Sequence, residues 1–129
     1  MPGTLWKKIV CATDFSDSSE AALLAAIDLA SRLHAELVLL HVGAGGEQEL
    51  EARKQQALKG GVTAVTISTE TGDPSTRIVE AADKGKFDLI VMGTRGRTGR
   101  AASLAGSVAE SVVRRASCPV LTLNDGWKR

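Results

Sequence analysis

The chain of 129 residues contains no tyrosine, only two phenylalanines and two tryptophans, and that scarcity leaves nothing from which to build an aromatic platform for single-stranded nucleic acid. Cysteine is equally sparse. Cys11 and Cys118 are too few and too far apart for a disulfide framework or a zinc site, and are expected as buried free thiols. His34 and His41 have no partner at ligand spacing, so no dedicated metal site is expected and structural roles are favoured for both. No sign of charge dominates: 16 basic against 15 acidic residues leave +1, which gives no electrostatic case for nucleic acid or an acidic membrane surface. Long apolar runs are missing as well. None approaches the roughly 20 residues of a membrane span, and the N-terminus lacks the zones of a secretory signal, so the expected location is the cytoplasm. Repeats, low-complexity tracts and linkers are also missing, which points to one domain over residues 1–129, with 43% hydrophobic content to fill its core.

What the chain does have is a hydrophobic period that switches repeatedly between 2 and 3.6. Trp6 to Thr13 reads as a short strand. Asp17 and Glu20 offer an acidic capping box for a helix to about His34, with Leu23, Ile27 and Ala30 on its inner face. Glu36 to Val42 is a strand covered on both faces, and Gly43, Gly45 and Gly46 break the chain before a charged helix over 47–59 that buries Leu50, Ala57 and Leu58 and stops at Gly60-Gly61. Val62 to Thr69 alternates as an edge strand does. Gly72-Asp73-Pro74 then caps a helix that ends at Gly85, and Phe87 to Met92 is the fourth strand. Ser107 and Glu110 form an S-x-x-E capping box for the last helix, whose Val108, Val112 and Ala116 share a face; Pro119 to Leu123 closes the sheet and 125–129 is a frayed tail. Strands alternating with helices predict a doubly wound, Rossmann-like α/β fold. Its five parallel strands run in the order 3-2-1-4-5, with four helices on two faces. Ligands of such sheets bind beyond the carboxyl ends of the strands where the winding reverses, here between Asp14 and Gly93.

The spacing Gly93-x2-Gly96-x9-Gly106-Ser107, directly after an apolar strand, reads as a phosphate cradle. Glycines leave backbone N–H groups uncovered, and a helix opening at Ser107 attracts negative charge. Five arginines (95, 97, 100, 114 and 115) stand against Glu110 between Met92 and Arg115, a local excess of +4 that leaves the rest of the chain near −3. Such an excess in a nearly neutral chain suits a small anionic ligand. Plainer roles stay open: Asp14 bracing the turn before the first helix, Ser107 as a cap only, and Arg95, Arg97 and Arg100 as a solvated loop. There is no G-x4-G-K-[ST], no G-x-G-x-x-G and no serine in a nucleophile elbow.

Ile9 to Ser16, then Leu40-His41-Val42, then Asp88 to Gly93, the loop ending in Gly106-Ser107-Val108, and the closing Cys118-Pro119-Val120-Leu121 together resemble the universal stress protein family, and the glycine spacing is similar to that of its ATP-binding branch. The resemblance implies ATP as ligand. It would place Ala12, Thr13 and Asp14 at the ribose and adenine, the backbone of Val42 at the adenine edge, and Gly93, Gly96, Arg97, Gly106, Ser107 and Val108 around the phosphates, with Met92 also among the nucleotide-binding residues. A triphosphate would carry a magnesium ion in with it. No catalytic residue is assigned: Asp14, the only carboxylate expected near the site, belongs to the ribose end, so hydrolysis should be slow or absent and the role that of a nucleotide-dependent stress-response regulator. The resemblance also implies a homodimer, and the apolar edge strand 119–123 is where a second copy would pair. A ligand-free dimeric scaffold and a phosphoryl or adenylyl transferase are the competing functions. In the expected strand order Cys11 and Cys118 lie two strand spacings, roughly 9–10 Å, apart and cannot form a disulfide.

Overall fold

The computed structural model describes residues 6–94 and 105–127, leaving aside the side chains of Ala105 and Gly106. Within them strands and helices alternate as β1 (Lys8–Ala12), α1 (Asp17–Leu33), β2 (Glu36–Val42), α2 (Glu47–Lys59), β3 (Val65–Glu70), α3 (Pro74–Lys84), β4 (Leu89–Gly93), α4 (Ala105–Arg115) and β5 (Val120–Leu123). The strands form one parallel sheet in the order β3-β2-β1-β4-β5, as the sequence predicts.

Period-2 alternation divides the core into two layers. Ile9, Cys11, Leu37, Leu39, Leu89 and Val91 face α1 and α2, whereas Val10, Ala12, Leu40, Ile90 and Met92 face α3 and α4. The buried face of α1 is largely alanine (21, 22, 25, 26 and 30), interleaved with Leu23 and Ile27. Small side chains let this helix lie close to the strands beneath it.

Helix ends account for most of the differences from the sequence reading. Ser16, not Asp17, is the N-cap of α1, accepting from the Ser19 amide; a short hydroxyl in extended backbone reaches the N3 amide, and Glu20 turns instead to Arg53. Val62 is not the start of β3. Its N–H donates to Ala57 O and that of Gly61 to Leu58 O, with Gly61 left-handed at φ 102, which is a Schellman ending for α2 that buries Val62 as its hydrophobic contact. α1 and α3 end in the same way on left-handed residues that carry side chains, His34 (φ 55) and Lys86 (φ 54), so Gly85 is the C-cap and not the left-handed residue. Leu58 is exposed, and only Leu50 and Ala57 are buried on α2. Ser107 is the third residue of α4, because Ala105 and Gly106 are already helical, so it does not occupy the N-cap position that the expected capping box requires. Asp73 caps α3 as expected, accepting from the Thr76 amide at 3.0 Å, with Pro74 in the first turn.

Candidate functional site

After β1 the chain enters α1 on one face of the sheet; after β4 it leads to α4 on the other. The adjacent ends of β1 and β4 therefore part, and a pocket of about 360 Å³ opens there, within the size range of small-molecule sites. Ala12, Thr13, Asp14, Ser19, Leu40, Val42, Asp73, Pro74, Ile78, Met92, Gly93, Ser107 and Val108 line it. Of the residues the sequence singled out, Ala12, Thr13, Asp14, Val42, Met92, Gly93, Ser107 and Val108 are brought together around this one cavity. Gly106 lies in the first turn of α4 beside Ser107. Gly96 and Arg97, with Arg95 and Arg100, lie outside the described residues.

The turn after β1 is held by its own side chains. Thr13 Oγ1 donates to Ser19 Oγ (3.0 Å) and accepts from the Phe15 amide (3.0 Å), while Asp14 Oδ1 accepts from the Ser16 amide (3.0 Å). Asp14 thus does brace its turn. The carboxylate is nonetheless exposed, lines the pocket, and has acceptor capacity beyond that one bond.

Val42 meets the pocket through the phase of its strand. In β2 the odd-numbered residues bond to β3, as Leu37 N–H to Ala64 O and Gly43 N–H to Glu70 O show, and the even-numbered ones bond to β1, as Glu36 N–H to Lys7 O shows. Val42 belongs to the second set, but β1 ends at Ala12 opposite Leu40. The N–H and C=O of Val42 therefore face the gap where β1 has stopped.

Gly93 has a different reason for being glycine than the cradle reading supposed. A Cβ there would sit 2.6 Å from the carbonyl carbon and 2.6 Å from Oγ of Ser18, in the first turn of α1. The missing side chain makes room for a helix, and it also bares one wall of the pocket. Arg115, part of the basic excess, is committed elsewhere: its guanidinium reaches Ser75 Oγ and Thr76 Oγ1 at 3.3 Å.

Sequence reasoning missed Ser19, Leu40, Asp73, Pro74 and Ile78 as pocket residues. Asp73 and Pro74 were legible as the start of a helix, and the beginning of a helix that follows a sheet strand is itself a pointer to the ligand end of the sheet. Asp14 is consequently not the sole carboxylate at the site. The Thr76 backbone amide, then the Thr76 and Ser75 side chains, hold the Asp73 carboxyl below its ordinary range, which makes it a weak base. Burial pushes the Cys11 thiol up to about 12, with the Glu20 charge adding to the effect, and it raises Cys118 as well. Both are free thiols; Cys11 packs in the α1/α2 layer and Cys118 against the α3/α4 layer.

The sequence model of the Universal stress protein family matches residues 5–51 and 43–124. The chain belongs to that family. It is 39% identical to Universal stress protein MJ0531 of Methanocaldococcus jannaschii, over 92% of this chain and 82% of that one. Among solved structures, a universal stress protein in complex with cAMP superposes with a TM-score of 0.82 at 31% identity, covering 95% of this chain and 99% of the other. An Arabidopsis thaliana member of the universal stress protein family with AMP bound superposes at 0.74 with 25% identity, covering 92% and 91%. No helix among the described residues is long and apolar enough to cross a membrane.

Proposed function

We propose that this universal stress protein binds an adenine nucleotide, ATP foremost, in the crevice between the ends of β1 and β4. The observation that carries the reading is the convergence on one cavity of a carboxylate (Asp14), a backbone edge turned out of its sheet (Val42) and the first turn of a helix (Ser107, Val108). Each suits a different part of the ligand. The apolar walls Ala12, Leu40, Pro74 and Ile78 accept a flat base, whose edge meets the N–H and C=O of Val42. The Asp14 carboxylate accepts from ribose hydroxyls. Gly93, Gly106, Ser107 and Val108 lie at the phosphates, where the α4 dipole favours negative charge, and Met92 adds to the nucleotide site; Gly96 and Arg97 fall outside the described residues. The ligands that two relatives carry, cAMP and AMP, support the same chemical class. A magnesium ion would enter with the triphosphate rather than occupy a protein-built site.

Occupancy, not turnover, is the signal in this reading. Asp14 is engaged at the ribose end and Asp73 is a weak base, so neither is suited to activate water at a γ-phosphate. The protein acts in the cytoplasm as a nucleotide-dependent stress-response regulator. It works as a homodimer that pairs through the edge strand β5, with Val113 and Trp127 adding exposed apolar surface; light scattering that returns the mass of a single chain at micromolar concentration would remove the dimer.

A ligand-free dimeric scaffold is the second reading, favoured by the packing reason found for Gly93 and by the bond between Asp14 and Ser16. Chromatography of small molecules released by heating the purified protein separates the two. An adenine nucleotide in the released fraction is expected. A protein that carries none, and takes up none at millimolar ATP, is the scaffold.

A further inference from the structure

The pocket-facing edge of Val42 exists because the β1–β2 ladder stops one rung early, and two side chains account for the stop. Leu40 stands opposite Ala12, and Thr13 N–H donates to Leu40 O at 2.9 Å. In a parallel ladder the next rung joins Val42 N–H to Thr13 O and Phe15 N–H to Val42 O. Both partners are engaged elsewhere. The Thr13 carbonyl lies 2.9 Å from His41 Nδ1, and the Phe15 amide donates to Thr13 Oγ1 at 3.0 Å. Because a carbonyl oxygen only accepts, Nδ1 must carry the proton of that bond.

The surroundings hold the imidazole in place. Phe15, left-handed at φ 65, turns the chain away from the sheet, and its ring lies against His41 with centroids 4.6 Å apart. The Arg53 guanidinium covers the Phe15 ring at 4.9 Å, tying α2 to the same stack. Gly43 and Gly46 leave room for the imidazole: a Cβ on Gly46 would come within 2.8 Å of His41 Cδ2, and one on Gly43 within 3.1 Å of Nε2. The ring packs on Phe15, which belongs to the α1/α2 layer, and His41 is not among the residues that line the pocket.

We infer that His41 and Thr13 are positioning residues: by capturing the Thr13 carbonyl and the Phe15 amide they keep β1 from closing over Val42, and so present its N–H and C=O as the base-reading edge. This inference rests on the nucleotide reading of the pocket, and its test is built to fail separately. NMR of the 15N-labelled wild-type imidazole, in its neutral form, is expected to show the Nδ1–H tautomer; an Nε2–H tautomer overturns the capture. In ligand-free protein the Val42 amide should exchange with solvent faster than the Leu40 amide and slow on adding ATP. Equal protection of the two without ligand overturns the open edge. By calorimetry, His41→Leu should weaken ATP binding about tenfold, the scale of one lost hydrogen bond, while His41→Asn, which keeps a donor near the Nδ1 position, recovers most of it. Equal losses in the two variants contradict a positioning role. If the leucine variant does not fold, the tautomer and the exchange rates of the wild type still decide. If the wild type takes up no ATP, the nucleotide reading falls by itself, and the tautomer and exchange rates settle whether the edge is held open.

Discussion

Gly93→Ala should lower the stability of the domain by about 2 kcal/mol, within the range for overpacking a tight interior. The added Cβ would lie 2.6 Å from the Ser18 carbonyl carbon and 2.7 Å from its carbonyl oxygen, and these are backbone atoms that no rotamer change can move aside. Relief requires α1 to lift from β4, yet α1 is seated by the buried alanines of its inner face and β4 is buried along its whole length. A urea midpoint that falls with an unchanged slope is the expected observation. An alanine variant as stable as the wild type would mean that the α1–β4 contact is looser than described.

Asp14→Ala should weaken ATP binding between ten- and a hundredfold while leaving the thermal midpoint nearly unchanged. The carboxylate is exposed and, among the described residues, its one hydrogen bond is to the Ser16 amide, so little of the described fold depends on it. Against ribose it would accept charge-assisted hydrogen bonds, each contributing about 1.5–3 kcal/mol. Gly106→Val should act in the same direction by placing a branched side chain where phosphate approaches the first turn of α4. Calorimetric titration of both variants checks this, and an unchanged affinity in either would remove that residue from the site.

The architecture was legible because it follows from patterns that are local and redundant. A parallel strand needs a crossover, crossovers are right-handed, and covering both faces of a sheet forces one reversal, which gives a doubly wound parallel sheet; placing the reversal between β1 and β4 then gives the observed order β3-β2-β1-β4-β5. The ends of elements were less legible, since they depend on competition between neighbouring hydrogen bonds. Val62 is apolar and β-branched and so resembles the first residue of a strand, but its amide is taken by Ala57 O. Ser107 sits three residues before Glu110 as a cap should, and nothing in the small residues before it announces that Ala105 and Gly106 are already helical. The pocket was legible as two lips, Asp14 and the Gly93 turn. Its third side, Asp73 with Pro74 and Ile78, was not, because only the folded sheet carries the start of α3 to the same crevice. Gly93 was read as part of a phosphate cradle, and the packing reason for a glycine there was not legible: its neighbour in space is Ser18, 75 residues away in sequence, and no spacing rule reports that contact.

Entry of an adenine nucleotide between β1 and β4 is what the proposed function requires. A titration of the 15N-labelled protein with ATP, followed through backbone amide shifts, tests this most directly. Saturable shifts at Asp14, Val42, Gly93 and Val108, with Lys8 and Asp88 at the opposite end of the sheet unmoved, are predicted. No shifts at millimolar ATP, or shifts confined to α2 and the outer face of α1, would contradict it.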